Sequence, residues 1–522
     1  MAAPKKQSQF GDVSLEPVSE GVIMEGVLSH YVSPKGAVSY TENMHNDTIG
    51  MMTTRRPFVN RITPAANVLS CVLYQDGAGT PLVATQQGTT FQIHSPYTGN
   101  TLTSTASIMD ASFPARYDMY KATLVVTPPA SGGQPRWVEG NGTLIAIAGS
   151  AFPTRKDLVS VGFDSRLWMA DSLDGSCRLY FSDPLLVGNN LGDTTGGTGY
   201  IVIPAENGDL ITALIKTQRC LYVFTHNSIF RVFNTVSSDN VPVSYVGTYS
   251  QDAVVKAKNG FYFYNPTGIF YMQDGGNPQE IGIKVRDILK KVSTQQQIKV
   301  FGWADDDHVV FCLGNNLTGY EPNKTYYVRY TISTQVWSIY STLNFLPSCA
   351  DYQNFLQINS AANVDYQGDE TIFPTVYVFG NGTNSAGVIN TTRHGGTINV
   401  YTPSTEDSTI VQDWNAYPIP VEYQTSWMTF DMECQSNTAN GLFVPSLNAA
   451  GMKVSYQLDN DLPNVWREIG TLGTSYVTAF DSWKSEEFKR IKFRFYGQSN
   501  GTTMQIGVPK IRLLDNLGYS TN

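Results

Sequence analysis

A chain of 522 residues in which 15% are charged and 12% aromatic, with 45 glycines, is composed for sheets and turns, because helices would show more Ala, Leu, Glu and Lys in periodic faces. Its formal net charge of -9 argues against a general nucleic-acid binder held by a basic surface. The length calls for two or three domains.

The six cysteines, Cys71, Cys177, Cys220, Cys312, Cys349 and Cys434, are scattered singly with no C-x-x-C pair. That excludes the spacing of a zinc ribbon or a dense disulfide scaffold and reads as small buried hydrophobes. No apolar h-region follows Met1, and no later run approaches membrane-spanning length, so the expectation is a soluble chain made in the cytoplasm with no membrane segment. Asn-x-Thr triplets such as Asn141 to Thr143 are expected by chance in a chain this rich in Asn and Thr, and Asn-Gly is itself a turn signal.

In chain order, residues 1–66 show little periodicity and read as an irregular N-terminal arm or docking segment. Val22-Ile23-Met24 and Val27-Leu28 are too apolar for a solvated tail, so the arm is expected to pack on the body. Residues 67–400 read as a β-propeller-like body. Hairpin units fall at Ser70 to Ile93, Ala122 to Ala148, Arg166 to Ser182, Leu210 to Phe233, Asn259 to Gly275, His308 to Tyr340 and Thr375 to Asn390. The densest are two consecutive aromatic hairpins. Leu221-Tyr222-Val223-Phe224 turns at Thr225 to Ser228 into Ile229 to Phe233, and Phe261-Tyr262-Phe263-Tyr264 turns at Asn265 to Gly268 into Ile269 to Met272. Units start roughly 35 to 50 residues apart, the interval at which a four-stranded propeller blade repeats.

One helix is expected over 281–292, where Ile281, Val285, Ile288, Leu289 and Val292 fall at helical spacing and Lys284, Arg286, Lys290 and Lys291 crowd the other face. Residues 401–522 read as a separate β-sandwich-like domain, with strands at Val421 to Phe430, Lys453 to Leu458 and Phe488 to Tyr496. In the last of these Ile491, Phe493 and Phe495 alternate with Arg490, Lys492 and Arg494, giving one core face and one basic stripe. The fold class is therefore all-β.

No constellation compels catalysis. None of His30, His45, His94, His226, His308 and His394 lies in a G-x-S-x-G or H-E-x-x-H setting. Asp305-Asp306-Asp307 has the oxygens a hard cation wants but no EF-hand spacing, and it reads as a hairpin tip. The Gly-rich loop Gly188 to Gly199 follows no strand-to-helix switch, so a phosphate cradle is not expected. No catalytic residue, cofactor or metal is assigned.

One ordered series is more specific: Arg166-Leu-Trp168, Arg178-Leu-Tyr-Phe-Ser-Asp-Pro184, Gly208-Asp-Leu-Ile-Thr-Ala213 and the hairpin Leu221 to Phe233. It resembles the central region of tail-stabilisation, tail-hub or nozzle proteins of short-tailed bacteriophages. The likeness continues through Asn259 to Val292, Phe301-Gly-Trp303, Tyr327 to Tyr330 and Trp337-Ser-Ile339, and returns in Phe488 to Phe495. It covers roughly residues 160 to 345 and the closing strand. What the resemblance implies is a virion protein without enzymatic activity, assembled as a homohexameric ring below the portal adaptor. Such a ring carries tail fibres or spikes, retains packaged DNA and conducts it during ejection without sequence-specific binding. A lumen that passes DNA should not grip it, which suits the net charge of -9. Arg490, Lys492 and Arg494 are then expected to serve neighbouring subunits or the adaptor. The alternatives are a carbohydrate-binding or depolymerising propeller of a phage tail, for which Asp164, Asp174 and Asp183 would be the acidic cluster, or another tail or minor capsid subunit.

Overall fold

The computed structural model describes residues 10–15, 21–22, 37–96, 99–128, 134–147, 157–184, 199–357, 371–383, 389–399, 418–430, 437–499 and 503–514, apart from 49, 56, 207, 259, 463 and 464. Among these residues, seven four-stranded antiparallel sheets follow one another as blades 1 (68–105), 2 (116–146), 3 (158–202), 4 (211–238), 5 (254–280), 6 (301–343) and 7 (345–399). The first strand of each blade lies beside the first strand of the next, and that of blade 7, Phe345–Gln357, returns to that of blade 1, Val68–Gln75. The body is a closed, seven-bladed β-propeller.

Blades need neighbours because their hairpins are apolar on both faces. In Leu221–Thr225 the side chains alternate: Leu221 and Val223 pack with Trp168 and Leu179 of blade 3, while Tyr222 and Phe224 pack with Phe261 and Phe263 of blade 5. Ring contacts extend the second set, with Phe224 edge-on to Phe263 at 5.3 Å. Glycine is required where hairpins crowd. A Cβ at Gly247 would stand 1.9 Å from the Thr225 carbonyl oxygen, and Gly260 adopts φ +151 with the Met272 oxygen 2.4 Å from any Cβ.

Blade 7 takes only three strands from its own stretch. Its fourth is Val59–Ile62, from the N-terminal segment, paired with Ile389–Asn399. The segment 1–66, expected as an arm packed on the body, forms six strands among its described residues, of which only Val59–Ile62 pairs with the propeller while the other five belong to two sheets with the C-terminal strands; Ile23, Met24, Val27 and Leu28 lie outside the described residues. Gly21–Val22 and Ala37–Glu42 join a six-stranded sheet with Pro420–Thr425, Ile491–Gln498, Lys453–Leu458 and Arg467–Thr471. Phe10–Ser14, Met44–Thr48 and Met51–Thr54 join a seven-stranded sheet with the remaining C-terminal strands. The sequence is irregular because four of these six strands, Phe10–Ser14, Ala37–Glu42, Met51–Thr54 and Val59–Ile62, answer partners more than 300 residues away; Ser39 Oγ, for one, donates to the Thr425 carbonyl at 2.9 Å across 386 residues.

The two sheets share one core, with Val38, Val421 and Phe493 against Leu442, Val444 and Ile511. That core continues without a break into blades 5 and 6 through Tyr262, Phe311 and Trp337. Asn43 pins the joint in a left-handed conformation, φ +57, accepting from the Ser341 amide at 2.8 Å and from Arg55 Nε at 2.7 Å. The helix expected over 281–292 is shorter: a 3-10 turn Gly282–Val285, one α turn Arg286–Leu289, then a bridge at Val292 to Leu317. Val285, Ile288, Leu289 and Val292 are buried as the spacing required, but Arg286 is drawn into a bidentate pair with Glu280, 2.6 Å to each oxygen.

Candidate functional site

The basic stripe of the C-terminal domain lies on Ile491–Gln498 and the residue before it. Ile491, Phe493 and Phe495 are fully buried between the sheets, which turns Arg490, Lys492, Arg494 and Tyr496 to the opposite face. Two tryptophans interleave with them. Trp427 lies 5.3 Å from the Arg490 guanidinium and 5.1 Å from the Lys492 ammonium, and Trp466 lies 5.1 Å from Lys492 and 5.7 Å from Arg494. Arg494 also covers Tyr496 at 4.4 Å. The stripe is thus a ladder of cations and aromatic rings, and Lys492 is only 6% exposed within it. Arg494 is further fixed to Glu422 by two hydrogen bonds, 2.8 and 2.6 Å. The sequence brought the three cations to one face; it gave no sign of the indoles, which reach the stripe from outside its strand.

Beside this ladder the sandwich meets blade 6 across a cleft of about 360 Å³. Glu42 and Glu422 stand directly opposite on neighbouring strands. Two like charges in that register repel, and each is matched by a cation: Glu42 by Lys324 at 2.9 Å, Glu422 by Arg494. Ser341 Oγ adds a 2.6 Å bond to Glu42. Tyr40, Tyr320, Tyr326 and Tyr496 line the walls. Burial, reinforced by Glu42, pushes the Tyr40 phenol up, and Lys324 is held above its ordinary value because Glu42 outweighs the burial that pulls it down.

A second cavity, of about 270 Å³, lies where the Met44–Thr48 and Met51–Thr54 hairpin meets blade 6. Arg329 grips Asp47 bidentately at 2.9 and 2.8 Å, His45 Nδ1 is 2.7 Å from the Tyr340 hydroxyl, and His308 Nδ1 is 2.9 Å from Asp305. Burial, with Arg329 close by, brings the His45 imidazole down to about 3. Burial would raise Asp47, but the hydrogen bonds and charge of Arg329 win and hold its carboxyl well below the usual range. With the guanidinium on both Asp47 oxygens, this cluster is a structural clamp.

The acidic residues singled out in the sequence do not converge. Asp164 lies in the turn before strand Leu167–Ala170 and Asp183 follows Arg178–Phe181, at one end of blade 3, while Asp174 sits in the turn at the other end. Asp174 is used locally, accepting from Ser176 N at 2.9 Å and Oγ at 2.6 Å. The Asp305 to Asp307 tip is likewise occupied, with Asp307 accepting from Ser333 N and Oγ at 2.9 and 2.6 Å and Lys258 on Asp306 at 2.7 Å. Among the described residues no group of three or more His, Cys, Asp and Glu is arranged to hold a metal ion. No helix of these residues is long and apolar enough to cross a membrane. The loop 188–198, His30 and Cys434 lie outside the described residues.

Ion pairs also span the propeller axis. Arg116 of blade 2 pairs with Asp252 at the start of blade 5, and Lys216 of blade 4 reaches Asp118 at 2.6 Å and the Val161 carbonyl at 2.8 Å.

No family model and no curated protein matches the chain. Solved structures with a similar outline include a streptogramin B lyase, 12% identical, TM-score 0.40, covering 65% of this chain and 96% of that one. Another is the β-propeller domain of Cps50 (Swd1) from Myceliophteria thermophila, 8% identical, TM-score 0.39, covering 66% and 99%. Both likenesses concern the β-propeller, which the strand pairing of this chain establishes on its own.

Proposed function

We propose that the chain is a structural subunit of a bacteriophage tail, one of a ring of copies that forms the hub or nozzle below the portal adaptor, retains packaged DNA and conducts it on ejection. The observation that carries this reading is two sets of large exposed apolar residues on different modules. On the rim of blades 3 and 4, Tyr200, Val202, Val236, Val241 and Tyr245 are 50%, 57%, 89%, 67% and 70% exposed. On the sandwich, Leu462 and Tyr476 are 74% and 70% exposed, with Leu447, Val465 and Val477 nearby in the chain. A head-to-tail ring needs two unlike surfaces on every subunit, and large exposed apolar residues mark association sites.

With Arg116, Asp252, Lys216 and Asp118 spanning the propeller axis, DNA would pass between subunits. The ladder face of Arg490, Lys492 and Arg494 is then a surface for a neighbouring copy or the adaptor. Light scattering of the purified chain across concentration, with Val236→Glu and Tyr476→Glu, tests the reading. A ring or its concentration-dependent precursor, lost in both variants, is expected; a monomer at every concentration overturns it.

The tyrosine-lined cleft with its facing Glu42 and Glu422 favours a second reading, a carbohydrate-binding propeller of the same tail. Titration with host surface polysaccharide separates the two, since binding abolished by Glu422→Gln is expected only under the second.

A further inference from the structure

The seam where the ring of blades closes holds a pair of thiols. Cys71 belongs to the first strand of blade 1 and Cys349 to the first strand of blade 7, the two strands that run side by side. Both side chains pack on one apolar cluster, made of Val68, Leu73 and Val83 of blade 1, Tyr377 and Phe379 of blade 7 and Ile62 of the strand that completes blade 7. Two residues further along the same two strands the Leu73 amide donates to Asp351 Oδ2 at 2.7 Å, which sets the strands side by side at this level. Both are free and partly buried, whereas Cys177, Cys220 and Cys312 are buried. Both also line a cavity of about 200 Å³ on the propeller axis, together with Arg116, Tyr117, Asp252 and Asp351.

We propose that Cys71 and Cys349 are an oxidative modification site, at which hydrogen peroxide entering the axial cavity converts the two thiols to a disulfide that staples blade 1 to blade 7. One sulfur attacks a peroxide oxygen, the O–O bond breaks, and a sulfenic acid and one water result. The second sulfur then attacks the sulfenic sulfur, the S–O bond breaks, and a second water leaves. Two thiols and one peroxide give one disulfide and two waters, with both sulfurs oxidised and the peroxide reduced. Peroxide is small enough for the cavity. Burial, with Cys349 beside it, pushes the Cys71 thiol well up, so the reaction is expected to quicken as pH rises.

The staple would close a loop of about 280 residues at the interface where the seventh blade returns to the first. Cross-linking so long a loop restricts the unfolded chain, and locks the seam against opening.

The experiment uses the full chain, treated with peroxide at pH 7 and 8.5, quenched, alkylated before unfolding and mapped by non-reducing peptide mass spectrometry. A peptide linking Cys71 to Cys349 is expected, formed faster at pH 8.5, reversed by dithiothreitol and accompanied by a rise in melting midpoint on the order of 5 °C. Cys349→Ser should lose both the linkage and the rise, and Cys71→Ala serves the same purpose if Cys349→Ser does not fold. Recovery of both residues as free thiols, or of each separately over-oxidised, overturns the proposal in the wild-type chain alone.

Discussion

The propeller and the sandwich are both antiparallel sheet, yet they are assembled from sequence in opposite ways. In blades 1 to 6 every strand pairs with its immediate neighbour in the chain. In the sandwich Ala37–Glu42 pairs with Pro420–Thr425, and Phe10–Ser14 with Lys510–Leu514. Local pairing repeats one solution many times, and long-range pairing commits the two ends of the chain to each other. The joint through Asn43, Asp47 and Trp337 makes the second kind depend on the first.

Removing a large ring tests that dependence most severely. Trp168 and Trp337 are both fully buried, the first in the cluster between blades 3 and 4, the second in the core shared by blade 6 and the sandwich. Each alanine substitution should cost about 3–5 kcal/mol. Denaturant unfolding followed by separate probes in the two modules should show Trp168→Ala weakening the propeller first, and Trp337→Ala shifting both together. Equal behaviour of the two variants would mean that the molecule unfolds as one unit.

Arg329→Met comes next. It leaves Asp47 without its bidentate partner, and because Asp47 is 39% exposed the loss should fall near the low end for a broken buried pair, about 3 kcal/mol. Limited proteolysis should then cut the hairpin over residues 44–54 before it cuts any blade.

Acid sharpens the comparison further, since each module holds a buried neutral histidine. His45 is brought down to about 3 and, by burial, His94 of blade 1 to about 4. An unfolded histidine binds its proton near 6.5, so between that pH and the folded value the unfolded state holds more protons. Stability is complete above about pH 6.5 and falls as pH drops, by up to about 1.4 kcal/mol per unit for each group. His45→Gln should flatten this slope for the joint, and His94→Gln for blade 1, in melting curves taken between pH 7.5 and 4.5. The smallest effect is expected for Arg116→Ala: its partner Asp252 is 44% exposed, and such pairs contribute about 0.2–1 kcal/mol.

What could be read from the sequence follows the same division. The aromatic hairpins at Leu221 to Phe233 and Phe261 to Met272 are legible because in each both strands and the turn sit within about a dozen residues. Alternation along Ile491 to Phe495 is legible for the same reason. The strands at 37–62 are not: Glu42 is intelligible only beside Glu422 and Lys324, and Asn43 only beside Ser341 and Arg55. The helix is shorter than the spacing over 281–292 predicts because its burial pattern is kept while Arg286 is turned to Glu280 and Val292 to Leu317. For the candidate site the cations were visible and the ladder was not, since Trp427 and Trp466 arrive from the ends of other segments. The Cys71 and Cys349 pair could not be read at all, being set by how the seventh blade meets the first.

The strand Val59–Ile62 leaves the ribosome long before its partner Ile389–Asn399. At about 10 residues per second the wait is roughly half a minute. During that time blades 1 to 6 can form in order while the outermost strand of the last blade stays unmatched. Closure of the propeller is therefore a late event in synthesis, and a nascent chain stalled before blade 7 would present an open arc with an unpaired edge at its end.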